Sequence, residues 1–285
     1  MAKTWFVTGA ARGIGAEIVK AALGAGDRVV ATGRDPRKIE QTFRTGSDRF
    51  LAIPLDVTDE DQITAAVDAA VAGFSRIDVL VNNAGYGQLG VFEETTPEQI
   101  RTQFETNVFG LMAVTRAVIP IMRRQRGGRI FNISSVAGLR GIFGASAYNA
   151  SKFAVEGFSQ AIAQELSPFG IYVTSISPGF IRTDFLDLSS VKYSEGQSIS
   201  DYAKPVADFR NFMANRSHQQ AGDPAKLAAV IVHLAQVANP PVSFVAGSDA
   251  VEATTNAIRT RQEQIDQWRE LSVSTDGDWA TATAS

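Results

Sequence analysis

Tyr148 and Lys152 lie four residues apart in the segment YNASK, and Ser135 lies thirteen residues before the tyrosine. A phenol, an ammonium and a hydroxyl can together move a proton on or off an oxygen. Reducing a ketone requires that proton on oxygen and a hydride on carbon. An ordinary tyrosine, with a pKa of about 10, releases its proton too reluctantly for a cycle at neutral pH. On a helix, Lys152 stands one turn from Tyr148, so its charge falls on the same face and favours the phenolate. Lowering the phenol by ~3 units takes about 4 kcal/mol of differential stabilisation. A fixed ammonium, together with the positive ring of an oxidised nicotinamide bound alongside, is a credible source of that stabilisation and would lower the Tyr148 pKa. Y-x-x-x-K alone also describes an ordinary surface helix.

A second group of residues can hold phosphates. Thr8-Gly9-Ala10-Ala11-Arg12-Gly13-Ile14-Gly15 follows a short apolar run and opens an amphipathic segment. Gly9, Gly13 and Gly15 let the backbone turn sharply and approach a pyrophosphate, with Arg12 and Ile14 in the same turn. The free N–H groups of the helix that follows attract the anion. The next strand ends in Ala31-Thr32-Gly33-Arg34-Asp35. An acid at that strand end would grip the ribose 2′-hydroxyl of NAD(H). Gly33 instead leaves room, and Arg34 can pair with a 2′-phosphate, as can Arg12. This points to NADP(H) over NAD(H). The other reading makes Asp35 the ribose acid and both arginines solvated surface. Further on, Asp56-Val57 and Asn83-Ala84-Gly85 fall where two later strands end. Asp56 suits the adenine amino group, and Asn83 suits tying strand ends together.

These residues need a scaffold that gathers strand ends. Apolar runs at 5–8, 28–31, 50–54, 79–82, 129–133, 172–176 and 242–245 read as strands. Helical periodicity marks 13–23, 60–73, 97–124, 148–167 and 250–271. The alternation predicts an α/β fold: a doubly wound, Rossmann-type, seven-stranded parallel sheet with helices on both faces, as a single domain over 1–272. Residues 186–222 interrupt the pattern and carry Tyr193, Tyr202, Phe209, Phe212 and Met213. They read as a substrate lid or as extra surface helices. Residues 273–285 are small and polar and read as a disordered tail.

In chain order, TGAARGIG, LDVTD, NNAG, NVFG, NISSVAG, YNASK and PGFIRT resemble the short-chain dehydrogenase/reductase family over roughly residues 3–250. The resemblance implies a catalytic tetrad of Asn107, Ser135, Tyr148 and Lys152. Lys152 would also hold the nicotinamide ribose, and Ser135 the substrate oxygen. Asn107 would fix a helix irregularity and a water leading to Lys152. Ser134 competes with Ser135 on sequence, but the thirteen-residue spacing belongs to Ser135. Pro178, Gly179, Ile181 and Thr183 would meet the nicotinamide carboxamide. The implied reaction interconverts a secondary alcohol and a ketone, and the implied assembly is a homodimer or homotetramer built through the two long helices.

Leu89, Phe92, Leu139, Ile142, Phe143, Phe180 and Phe185 suggest an apolar or bulky small-molecule substrate. The absence of cysteine in the 285 residues excludes disulfides and thiolate chemistry, and with only two histidines no metal site is expected. A net charge of −3 gives no general attraction to nucleic acid or anionic membrane. The cluster Arg123, Arg124, Arg126 and Arg129 reads as solvated charge at a helix end. No run approaches the ~18 apolar residues of a membrane span, and the first residues run straight into a strand without a leader, so a cytoplasmic protein is expected. Two rival readings remain: a non-enzymatic NADP(H)-sensing regulator, which needs no proton donor, and a sugar-nucleotide epimerase or dehydratase, which usually has other glycine spacing.

Overall fold

A computed structural model describes residues 2–43, 46–187 and 190–277. Its strands are β1 (Thr4–Val7), β2 (Arg28–Gly33), β3 (Phe50–Pro54), β4 (Val79–Asn82), β5 (Gly87–Leu89), β6 (Gly128–Ile133), β7 (Ile171–Pro178), β8 (Val191–Tyr193) and β9 (Ser243–Ala246). Its helices are α1 (Gly13–Gly24), α2 (Pro36–Phe43), α3 (Glu60–Phe74), α4 (Pro97–Phe104), α5 (Leu111–Gln125), α6 (Ser146–Leu166), α7 (Ala203–Arg216), α8 (Pro224–Leu234), α9 (Ser248–Gln267) and α10 (Arg269–Val273). Seven strands form one parallel sheet in the order β3-β2-β1-β4-β6-β7-β9, as the apolar runs predict.

Side chains alternate across this sheet. Trp5 and Val7 of β1 join α1 and α8 in one core layer, whereas Phe6 joins α3, α5 and α6 in the other. Both faces are therefore dry, which is why the strands read as nearly unbroken apolar runs. The one indole nitrogen in β1 is satisfied, since Trp5 Nε1 donates to Asp27 Oδ2 at 2.8 Å. Helix starts follow their caps. Asp59 accepts from Gln62 N at the start of α3, and Asp223 accepts from Ala225 N at the start of α8. Thr96 and Gln99 form a reciprocal capping box on α4.

The predicted helix over 97–124 is instead α4, a π-helical turn (Glu105–Gly110) and α5. By length and composition this stretch could cross a membrane. Here its apolar stripe (Leu111, Val114, Val118 and Met122) is buried in the protein core. Arg129 departs from its expected place at a helix end. It lies in β6, stacks 4.3 Å from the Tyr172 ring centre and donates to Val237 O.

Residues 186–222 hold both a strand and a helix. β8 pairs in parallel with β5, matching Gly87 to Val191 and Leu89 to Tyr193. α7 then brings Phe209 and Met213 to the same apolar cluster as Tyr148 and Phe185. At the other end, the predicted 250–271 helix breaks at Trp268 into α9 and α10. Within α9 only Ala250 is buried. Residues 273–277 of the expected tail close α10 with turns, including Asp276 N to Val273 O at 3.0 Å. Residues 278–285 lie outside the described residues.

Candidate active site

Strand order reverses beside β1, where β2 and β3 lie to one side and β4, β6, β7 and β9 to the other. Such a switch point opens a crevice at the carboxyl ends of the strands. Here it is a cavity of about 1000 Å³ that runs from Gly33 and Arg34, past Gly9, Gly13 and Ile14, to Tyr148 and Lys152.

The glycine turn is fixed by β4. Asn83 Nδ2 donates to Thr8 O at 3.0 Å and Gly9 O at 2.9 Å. Thr8 Oγ1 accepts in return from Asn83 N at 2.9 Å and Ala84 N at 3.0 Å. Asn83 thus ties strand ends together, as its position in the sequence suggests. Gly9 has a positive φ of 64°, and a Cβ at Gly15 would collide with the Gly9 carbonyl and the Asn83 amide. Arg12 precedes α1 without a side-chain cap, so the first N–H groups of that helix are left for a ligand. A backbone cradle of this kind fits a pyrophosphate.

Gly33, Arg34, Asp56 and Val57 line one end of the cavity. Asp35 does not. Its carboxylate accepts from Arg37 N at 3.1 Å and Arg37 Nε at 3.2 Å, and the Arg37 side-chain bond holds its pKa below the usual carboxylate range. Asp56 accepts from Thr58 N and Thr58 Oγ1 at 3.0 and 2.8 Å.

The other end holds the predicted tetrad. Ser135 follows β6 and accepts from Ala137 N at 3.1 Å, which places its hydroxyl at the cavity wall. Tyr148 and Lys152 share a face of α6 and are 8% and 7% exposed. Lys152 Nζ donates to Ile133 O at 2.8 Å and lies 5.8 Å from the centre of the Tyr148 ring. Burial pushes the phenol up to about 12, while a hydrogen bond with Ser135 pulls the other way. The expected lowering counted a positive nicotinamide as well as Lys152; among the groups the protein itself supplies, desolvation of the phenolate prevails. The phenol stays protonated at neutral pH. Burial also pushes Lys152 down to about 8, opposed by the Glu156 carboxylate.

Asn107 sits in the π-helical turn, 1% exposed. Its Nδ2 donates to Tyr86 O at 3.0 Å and its Oδ1 accepts from Tyr86 N at 3.1 Å. A longer bond of 3.4 Å runs from Nδ2 to Ser151 Oγ on α6. The irregular turn thus connects the segment after β4 to α6. Pro178, Gly179, Ile181 and Thr183 also line the cavity, with Ala84 and Gly85 on the opposite bank.

Leu89, Ile142, Phe143, Phe180 and Phe185 line the cavity as expected, and the Phe185 and Tyr148 ring centres are 5.8 Å apart. Phe92 and Leu139 do not. Phe92 is 66% exposed, because the chain turns at Gly90 after β5 and carries it outward. Leu139 lines a separate depression of about 430 Å³ against α9, since the short turn at Val136–Gly138 swings it away. Sequence reasoning did not single out Tyr86, Lys192 or Gln220, which also line the cavity. Phe209 and Met213, four residues apart on α7, carried a helical signal within the predicted insertion. Asp184, Asp187 and His218 place ligand-type atoms within 4.8 Å of one another, and Asp187 is bonded by Ser217 and His218.

The family model described as short chain dehydrogenase matches residues 3–193. The chain belongs to the short-chain dehydrogenase/reductase family. Members of this family are NAD(P)-dependent oxidoreductases, and the cradle and tetrad described above fit that chemistry. This chain is 38% identical over 275 residues to oxidoreductase BOA17 of Botryotinia fuckeliana, covering 96% of the chain and 99% of the relative. It is 37% identical over 236 residues to a 3-ketodihydrosphingosine reductase of Bacteroides thetaiotaomicron, covering 82% and 84%. The crystal structure of a short-chain dehydrogenase from Streptomyces avermitilis aligns with a TM-score of 0.90 at 38% identity, covering 97% of this chain and all of that one.

Proposed function

We propose that this enzyme is an NADP(H)-dependent oxidoreductase that interconverts a secondary alcohol and a ketone on an apolar or bulky substrate. The observation that carries the cofactor choice is the pairing at the end of β2. Arg34 faces the cavity, while Asp35 is turned away and bonded to Arg37. A guanidinium at that point attracts a 2′-phosphate and gives a bare 2′-hydroxyl little in exchange. When bound, the nicotinamide supplies or accepts the hydride. Tyr148, protonated and buried, donates the proton to the carbonyl oxygen in reduction. Ser135 hydrogen-bonds that oxygen as charge develops on it. Lys152 supports the phenol, and Asn107 holds the backbone beneath both.

Leu89, Phe143, Phe180 and Phe185 around Tyr148 favour a substrate with apolar bulk next to its carbonyl. The relative from Bacteroides bears the name 3-ketodihydrosphingosine reductase, in keeping with a ketone substrate. Steady-state rates with NADPH and NADH over a panel of aliphatic, steroid-like and aromatic ketones test the reading. The expected result is turnover with at least tenfold higher kcat/KM for NADPH. Preference for NADH would overturn the cofactor choice, and tight NADPH binding without turnover of any ketone would favour a sensor. We further propose assembly as a homodimer or homotetramer through α5 and α6, whose neighbourhood leaves Phe109 and Phe153 53% and 41% exposed. Sedimentation equilibrium at micromolar protein should give two or four chain masses, and a single chain mass would refute it.

A further inference from the structure

Glu156 is only 3% exposed, and no step above uses its carboxylate. It lies four residues beyond Lys152 on α6, so the two share one helix face. Helical side chains lean toward the helix N-terminus, which carries the Glu156 carboxylate back over the turn that bears Lys152. Both groups are anchored to the sheet. Ser175 Oγ donates to Glu156 Oε2 at 2.6 Å, and Ser177 Oγ donates to Oε1 at 2.5 Å. The two serines stand two residues apart on β7 and so face α6 together. Between them lies Ile176, the register partner of Ile133 on β6. Ile133 O is the acceptor of the Lys152 ammonium. Carboxylate and ammonium are thus tethered at the same rung of neighbouring strands, which run about 4.8 Å apart. The turn at Gly138 closes over this stretch: a Cβ there would meet Lys152 O at 2.8 Å and Glu156 Cγ at 3.0 Å.

The serine hydroxyls satisfy the carboxylate oxygens but not the charge, and a buried charge is costly unless it is paired. Other ionisable groups on α6 and on the elements packed against it are turned elsewhere. Glu98 and Arg101 of α4, Glu105 of the π-helical turn and Glu165 of α6 are exposed. Tyr172 of β7 donates to Asn239 and stacks with Arg129. Tyr148 flanks Lys152 from the preceding turn of α6. We propose that Glu156 is a positioning residue for the reaction, a buried counter-charge that holds the positive charge of Lys152 beside Tyr148. The inference rests on the role given above to Lys152 in supporting the phenol. Local electrostatics have the matching sign: burial pushes Lys152 down to about 8, and Glu156 opposes that fall. Without the carboxylate, burial acts alone and the lysine gives up its charge at a lower pH.

The pH dependence of ketone reduction tests it, using the preferred dinucleotide and the fastest ketone of the panel above. The proteins compared are the wild type, Glu156→Gln, Glu156→Asp and Lys152→Met. Wild-type kcat should fall on the alkaline side as Lys152 loses its charge. In Glu156→Gln that fall should come about one pH unit earlier. The deficit then grows with pH, whereas a purely structural defect lowers the rate by one factor throughout. Glu156→Asp keeps the charge and should return the midpoint toward the wild-type value. Thermal melting, with the double variant added, gives a readout that needs no turnover. Lys152→Met should raise the Tm more in the Glu156→Gln background than in the wild type, because there it removes an uncompensated cation. Should Glu156→Gln alone fail to fold, folding of the double variant would support the pairing, and its failure would count against it. A wild-type midpoint in Glu156→Gln, or equal Tm changes in both backgrounds, would overturn the proposal. Normal turnover by Lys152→Met would instead remove the lysine from the reaction, and the role of Glu156 with it.

Discussion

Tyr148 and Lys152 are both enclosed, and enclosure moves their pKa values toward each other, the phenol up to about 12 and the ammonium down to about 8. The phenol thereby stays protonated, as its proposed role as proton donor requires, and the ammonium titrates closer to neutrality. Tyr148→Phe removes the donor with little change in shape. We expect kcat to fall by about 10²–10⁴-fold while the Kd for NADP⁺ stays within about twofold. Near-normal turnover would refute the assignment. Lys152 also makes stability depend on pH. Its folded pKa lies below the ordinary value of 10.5, so between about pH 8 and 10.5 the unfolded chain holds more protons than the folded one. Stability from this group therefore rises with pH across that window, and the burial penalty is present in full below it. Tyr148 acts in the opposite sense only between about pH 10 and 12. Urea unfolding at pH 7.5 and 9.5 should show the wild type gaining on Lys152→Met at the higher pH, and a constant gap would count against a depressed lysine.

Among the elements, the long strands and the capped helices were legible from the sequence. Both faces of the sheet are buried, so unbroken apolar runs survive without supporting context. Thr96-Pro97 and Asp223-Pro224 start their helices through local chemistry alone. β5 and β8 were not legible: each is three residues long and exists because the other does, across a separation of about a hundred residues. The same non-local dependence hid Gln220, which reaches the cavity wall only where its loop meets Arg182. Phe92 and Leu139 were misplaced for a related reason, since a turn on either side of a motif reverses which way a nearby apolar residue points. The expected lowering of Tyr148 counted two positive charges, Lys152 and an oxidised nicotinamide, and left out the cost of burial. The irregular turn at 105–110 was anticipated from the resemblance, and the contacts of Asn107 give it a cause. Asn107→Ala should strip the Tyr86 backbone of both partners, costing about 1–3 kcal/mol of stability by denaturant unfolding. It should also lower kcat through misplacement of α6. A variant with wild-type stability would remove Asn107 from this role.

At the scale of the molecule, the catalytic cavity and the carboxyl-terminal helices make different demands. The cavity draws residues from the ends of six sheet strands and from α7, whereas α10 buries none of its residues. Removing residues 269–285 should therefore shift the Tm of the enzyme by less than about 2 °C, measured by calorimetry. A larger drop would mean that this end docks on the body or on another copy. A final consequence lies in the sheet itself. Among the described residues every strand pairs in parallel: Thr4 sits beside Arg28, Asn82 beside Asn132, and Ser175 beside Ser243. No rung of the ladder can be laid by a neighbouring hairpin. The polypeptide must close wide loops before pairing returns anything, which slows its search for the native state. On dilution from urea, recovery of near-ultraviolet ellipticity should take on the order of seconds or longer, and the half-finished sheets crossed on the way are where this protein is most exposed to sticking to copies of itself.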